Sequence, residues 1–171
     1  KKEEFYSIEG LKEFVRYIDS SKEHLIEDII HINTEKQGVP VEVAMTYNTS
    51  YNENIYSYVN NINTVDGGTH VMGFRSALTK TINDYGRKFG LLKASDKNLT
   101  GEDIREGLTS VISVKIPDPQ FEGQTKGKLG TSEATSAVAT VLSEKLEYFL
   151  EENPTIAKAI FEKSMVASRA R

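Results

Sequence analysis

Residues 39 to 47 carry the pattern that most limits the fold. Val39, Val41, Val43, Met45 and Tyr47 alternate with Pro40, Glu42, Ala44 and Thr46. Successive side chains of a strand point to opposite faces, so this run reads as a strand with one face buried and one wet. Gln37 and Gly38 precede it as a turn signal, which makes residues 29 to 47 a β-hairpin. A third strand is expected over 52–60, rich in Tyr and Ile, and a fourth over 108–116. In the fourth, Ile112, Val114 and Ile116 alternate with Val111, Ser113 and Lys115 until Pro117 stops the pairing. A short strand is also expected over 5–7.

Between the strands the apolar period changes. Leu11, Phe14, Val15 and Ile18 fall at helical spacing, as do Val71, Phe74, Leu78, Ile82 and Tyr85. Thr69 stands where an N-cap for the second helix is expected. Thr100-Gly101-Glu102-Asp103 has the form of a short capped helix. Val138, Leu142, Leu146 and Phe149 mark an amphipathic helix over 131–150. Asn153-Pro154 starts a last helix, with Ala157, Ile160, Phe161 and Met165 on its apolar face. Residues 60–70, dense in Asn, Asp and Gly, read as a loop whose residues tolerate left-handed backbone. The mixture is an α+β, two-layer domain without a regular βαβ repeat.

Composition narrows the chemistry. A chain of 171 residues is a comfortable length for one core. It has no cysteine, which excludes disulfides, thiolate metal sites and cysteine nucleophiles. No apolar run reaches the length of about 18 residues that a membrane helix requires. The net charge of −4 does not advertise nucleic-acid binding, so any such contact must be a local patch. The chain begins without Met and in mid-pattern, and it is expected to be an excised piece of a longer protein.

No phosphate loop of the Walker type, dinucleotide fingerprint or nucleophile elbow is present. His24, His31 and His70 lack ligand spacing, and no metal site is expected. Glu102/Asp103 and Glu151/Glu152 sit at helix ends, where capping or solvation explains them. The informative stretch is 117–130. Two prolines stiffen its entry, and Gly123, Gly127 and Gly130 allow tight turns and a close ligand approach. Gln124 and Lys126, two residues apart, share a side in extended backbone. An amide donor beside a compact cation suits an anionic oxygen, above all a terminal phosphate, and a solvated basic loop is the plainer reading. Arg75 lies near the start of a helix, where the dipole disfavours a cation. Such a cation invites an anionic partner or is a surface arginine, and Lys80, Arg87 and Lys88 follow on the same helix.

These stretches together carry a family resemblance. Asn60-Asn61-Ile62-Asn63-Thr64, Gly67-Gly68-Thr69-His70, Gly73-Phe74-Arg75 and Asp118-Pro119-Gln120-Phe121-Glu122-Gly123-Gln124-Thr125-Lys126 resemble the second, transducer domain of the bacterial DNA gyrase B family. The likeness runs through Arg105-Glu106-Gly107-Leu108 and Ser113-Val114-Lys115-Ile116 to Glu151-Glu152-Asn153-Pro154.

The resemblance implies one domain over 1–171, with C-terminal helices from about 131 to 171, following an ATPase domain of the GHKL superfamily. It implies a fold like domain 2 of a small-subunit ribosomal protein: a mixed four-stranded sheet, helices on one face and a left-handed βαβ crossover. It further implies that Lys126 reaches the γ-phosphate of ATP in the neighbouring domain, as the residue taking part in turnover, with Gln124 as a second ATP contact. By the same likeness Arg75, with Lys80 on its helix, lines a cavity for a transported DNA segment. ATP and Mg2+ would be bound mainly by the neighbouring domain. The implied partners are that ATPase domain, a second gyrase B copy, gyrase A and double-stranded DNA, in the cytoplasm and away from membranes. The isolated piece is expected to be inactive. The equivalent domain of topoisomerase IV is the nearest rival, and an arm of a mismatch-repair or chaperone ATPase is a more distant one. A free-standing RNA-binding module is the rival of another class.

Overall fold

The computed structural model describes residues 10–170. The strand expected over 5–7 lies outside them. In chain order the elements are α1 (Gly10–Ile18), β1 (Ile30–Lys36), β2 (Val39–Tyr47), β3 (Asn54–Val59), β4 (Ile62–Asn63), α2 (Thr69–Lys88), α3 (Gly101–Arg105), β5 (Leu108–Val114), α4 (Ser132–Glu152) and α5 (Pro154–Ala170). The sheet order is β1-β2-β5-β3-β4. Four strands make the body of the sheet, and the two-residue β4 is added at its edge. β1 and β2 form the expected hairpin, with positive φ at Gln37 and Gly38. Both central residues of a type I′ turn require that backbone. β2 pairs antiparallel with β5, and β5 pairs parallel with β3. The sheet is therefore mixed, and the β3–α2–β5 connection is a βαβ crossover of the ribosomal-protein kind.

One face of the sheet forms the main core. Val41, Val43, Met45, Leu108, Ile112 and Val114 meet Phe74, Leu78, Val138, Leu142 and Leu146 from α2 and α4, all essentially without solvent contact. The Tyr47 hydroxyl is buried in this core and donates to the Ile104 carbonyl at 2.8 Å, which satisfies its polar end. α5 closes the layer against α3 and α4, and Phe161 lies on Gly86 of α2.

The other face of β2 is not wet as the alternation predicted. Ala44 and Thr46 are buried, because α1 lies across β2 and β5 on that side. Leu11 and Val15 pack there on Ala44 and Val111. Asp19, just past α1, is buried and accepts from Asn48 Nδ2 and Thr109 Oγ1, both at 2.8 Å, which ties the helix end to the sheet. A small helix can cover only part of a sheet face, so Pro40 stays exposed and Glu42 half-buried.

Asn60 and Asn61 take the left-handed backbone foreseen for them, with φ of 51° and 69°, and they turn β3 into β4. The capping box of α3 is present: Thr100 Oγ1 accepts from the Asp103 amide, and Asp103 Oδ2 accepts from the Thr100 amide. Thr69 is not the N-cap of α2. Gly68 holds that position, and the Thr69 hydroxyl donates to the Thr131 carbonyl at 2.6 Å. The hydroxyl is drawn away because the starts of α2 and α4 lie side by side. Thr135 Oγ1 reaches the Thr69 carbonyl at 3.1 Å in the same seam.

Candidate functional site

The stretch from 117 to 130 is a narrow projection with two fixed legs. Phe121 and Leu129 face each other across an antiparallel bridge; the Glu122 amide donates to Lys128 O at 2.9 Å and the Gly130 amide to Gln120 O at 2.7 Å. Its base is bonded to the loop before α2. Leu129 N donates to Gly67 O, and Thr69 N to Leu129 O, both at 3.0 Å; Asp66 N reaches Gly127 O at 2.7 Å. Gly68 makes this approach possible. Its φ is 133°, and a Cβ there would stand 2.4 Å from the Leu129 carbonyl oxygen. The Gln120 amide donates to Thr131 Oγ1 at 2.8 Å, so the base is also held at the start of α4.

Above this base the tip is free. Gln124, Thr125 and Lys126 are exposed, and neither Gln124 nor Lys126 has a hydrogen bond or ion pair with any described residue. Nearby Lys128 differs, because it pairs with Glu122 at 3.5 Å. The tip runs through bends rather than extended backbone. The extended-backbone spacing that would put Gln124 and Lys126 on one side therefore does not apply. An ammonium on a hydrogen-bonded stem that has no partner among the described residues has none of them to give up when it meets an anion.

The cations of α2 are arranged otherwise. Arg75 Nη2 donates to Glu53 Oε2 at 3.1 Å, and Lys80 Nζ to Asp84 Oδ2 at 2.7 Å. The hydrogen bond that Lys80 donates to Asp84, and the Asp84 charge, raise the Lys80 pKa above the ordinary lysine value. The anion that the helix-dipole argument sought for Arg75 is an internal carboxylate. Arg105 Nε shares the same Glu53 oxygen at 2.9 Å. Sequence reasoning assigned no role to Glu53 or Arg105. Glu53 lies 22 residues from Arg75 and 52 from Arg105, distances at which spacing carries no signal. Arg75, Lys80 and Arg105 border one open cleft of about 610 Å3, together with Ser76, Thr79, Asn83 and Asn98. Lys126 does not line this cleft, but Arg75 also borders a second pocket of about 370 Å3 with Asp66, Gly67, Gly68 and Lys128 at the base of the loop. Lys88, placed with these cations by sequence, instead bonds Glu151 of α4 at 2.6 Å, and Arg87 clamps the 93–98 loop.

The histidines serve the scaffold. His70 is fully buried in the first turn of α2. Its Nε2 lies 3.1 Å from Thr64 Oγ1, which lies 2.6 Å from Ser57 Oγ. One assignment satisfies every donor: Nε2–H to Thr64, Thr64 to Ser57, and Ser57 to the Thr64 carbonyl at 3.0 Å. Nδ1 is then a bare, buried nitrogen without a partner. Burial lowers the His70 pKa to about 4, since a proton there would bring an unpaired charge into the core. His31 bonds Glu42 at 2.7 Å, and His24 lies 3.9 Å from Asp19. Among the described residues no three His, Asp or Glu side chains gather as a metal site, and no helix is long and apolar enough to cross a membrane.

Solved structures place this architecture among the type II topoisomerases. The ATP-binding domain of Francisella tularensis topoisomerase IV superposes with a TM-score of 0.77 at 34% identity, over 90% of this chain and 42% of that one. The mixed sheet, helical layer and βαβ crossover are those of the transducer domain of that class. The likeness to one gyrase structure is stronger. The 43K ATPase domain of Thermus thermophilus gyrase B, crystallised with an aminocoumarin, gives a TM-score of 0.91 at 43% identity over the whole chain and 46% of its own. The DNA gyrase B protein of Cytophaga aurantiaca is 56% identical over 169 residues, which are 99% of this chain and 35% of that protein. A family profile described as DNA gyrase B matches residues 10–171, and the chain belongs to that family. It spans about a third of the length of the curated relatives it matches.

Proposed function

We propose that this chain is the transducer of an ATP-driven type II DNA topoisomerase of the gyrase kind, and that Lys126 senses the terminal phosphate of ATP held by an adjoining domain. The observation that supports this most is the exposed, unpaired Lys126 on a loop whose base is bonded to the starts of α2 and α4. The Lys126 ammonium donates to a terminal phosphate oxygen, and the Gln124 amide is a second donor. The contact exists only while that phosphate is in place. It favours one orientation of this domain against its neighbour, and the bias disappears after hydrolysis and release. A hydrogen bond to a charged group contributes about 1.5–3 kcal/mol, a bias of roughly ten- to a hundredfold. Because the loop base is rigid, movement of the tip is carried into α2 and α4.

In this reading the partners are an ATPase domain of the same polypeptide, a further copy of that polypeptide, the DNA-cleaving protein gyrase A and duplex DNA, acting in the cytoplasm. ATP and Mg2+ are bound mainly by that ATPase domain. Arg75 and Lys80 border the path of a DNA segment. The chain forms one transducer domain, and hydrolysis needs groups supplied by the adjoining domain.

The test is Lys126→Ala in the full-length protein with its cleavage partner. ATP turnover and supercoiling are expected to fall by at least about ten- to a hundredfold, with an unchanged thermal midpoint. Near-normal turnover would remove the proposal. Relaxed-circle supercoiling by the wild-type complex also separates gyrase from topoisomerase IV, for which decatenation without supercoiling is expected.

A further inference from the structure

The α2 face already holds an anion that mimics the one it is proposed to meet. Glu53, the residue before β3, offers one carboxylate oxygen to two guanidiniums. These are not equivalent. The Arg105 side chain is 16% exposed and lies at 2.9 Å; that of Arg75 is 48% exposed and lies at 3.1 Å. One carboxylate between two guanidiniums leaves a net positive charge. The surrounding cleft adds the Ser76 hydroxyl and the Asn98 amide, while the Thr79 hydroxyl is already donated to the Arg75 carbonyl at 3.0 Å and the Lys80–Asp84 pair on the same wall is neutral overall. Cations with hydroxyl and amide donors are the set that contacts a phosphodiester backbone.

We infer that Glu53 is an internal stand-in for a nucleic-acid phosphate. It holds Arg75 in place in the free protein and releases it to a backbone phosphate, while staying on Arg105. The exchange runs one way. Arg75 is half in water and can leave its partner with little desolvation to recover. Arg105 is more enclosed, and parting it from Glu53 would leave a poorly solvated charge. Glu53 is thus a positioning residue that sets DNA affinity by competition. This inference rests on the DNA-facing reading of Arg75 and adds the group that controls it.

The experiment measures binding of a short duplex to the full-length protein by fluorescence anisotropy over a range of salt. Glu53→Gln keeps a neutral acceptor for Arg105 and removes the competing charge. Affinity is expected to rise roughly two- to fivefold, and the log–log salt slope to steepen. The double variant Glu53→Gln/Arg75→Gln is expected to match Arg75→Gln alone. Unchanged or weaker binding by folded Glu53→Gln overturns the inference. Arg75→Gln separates it from the reading beneath. If that variant keeps the wild-type salt slope, the DNA-facing reading itself fails. If it flattens the slope by about one phosphate contact while Glu53→Gln changes nothing, only the role of Glu53 fails. A wild-type measurement covers the case in which Glu53→Gln does not fold. Phenylglyoxal labelling read by peptide mass spectrometry is expected to modify Arg75, to be blocked there by duplex, and to miss Arg105 in both states. Labelling of Arg105 once DNA is added, or of Arg75 equally with and without DNA, overturns the inference.

Discussion

Two basic regions of this domain solve opposite problems. At the 123–127 tip a lysine stands without a partner among the described residues, above a base made of backbone hydrogen bonds. On α2 both proposed DNA-facing cations are already paired, Arg75 with Glu53 and Lys80 with Asp84. A lone ammonium gives its whole charge to an incoming anion, which suits a single dense phosphate that must be noticed when it arrives and when it leaves. Paired cations give only the difference between an internal and an external anion. That suits a long polyanion that must pass through without being trapped. The net charge of −4 fits the second case: a strongly basic channel would hold DNA at many contacts.

The comparison requires the tip to be rigid, and Gly68 is where that can be broken most severely. Gly68→Val places a branched side chain at φ 133° and against the backbone of Leu129. Strain at such a position is of order 1–3 kcal/mol, and the steric conflict with main chain adds to it. The variant is expected to lose roughly 3 kcal/mol or more by urea denaturation and to lose ATP turnover even with Lys126 present. A folded Gly68→Val protein with normal turnover would show that a fixed base is not needed.

A smaller effect is expected from His70, buried in the first turn of α2. Its folded pKa of about 4 is below the ordinary value of 6.5. The unfolded chain therefore binds the extra proton first. Stability is unaffected by this group above about pH 6.5 and falls as the pH drops from there toward 4, by at most about 1.4 kcal/mol per unit. The measurement is the denaturation midpoint against pH for wild type and His70→Gln. The variant is expected to have the flatter profile over that window. Parallel profiles would mean that His70 is protonated in the fold or poorly buried.

The difference between the regions also explains what the sequence could reveal. Periodicity located α2 and α4 because Phe74, Leu78, Val138, Leu142 and Leu146 reach the core through near-neighbour spacing. The glycines mark 117–130 as a loop that can turn tightly, and Gly123 takes a positive φ of 80°, but the extended backbone assumed for Gln124 and Lys126 is replaced by bends, which residue spacing alone does not reveal. Other hidden parts are contacts between distant segments. Nothing near Thr69 indicates that its hydroxyl serves Thr131, and nothing near Ala44 indicates that α1 covers it. Glu53 reads as one more acidic residue until the fold brings α2 and α3 to it. β4 falls inside the 60–70 stretch that reads as a loop, because two residues give too short a pattern to separate a strand from a loop.

Lys80 provides the mildest test and the one most specific to the contrast. It lies four residues before Asp84 on an exposed turn of α2, with its side chain 74% exposed. Water screens such a pair, and its loss changes little in the folded protein. Lys80→Gln is therefore expected to leave the thermal midpoint unchanged and basal ATP turnover intact. It is expected to weaken duplex binding only slightly, with a salt slope reduced by less than the value of about 0.9 for a full phosphate contact. Asp84 is the reason for the small size, because in the wild type it already satisfies part of the charge that DNA would otherwise meet. Asp84→Asn isolates that cause and is expected to shift binding in the opposite direction. If Lys80→Gln instead impaired the enzyme as much as Lys126→Ala, pairing would not distinguish the two regions, and the α2 face would have to be read as a second primary site.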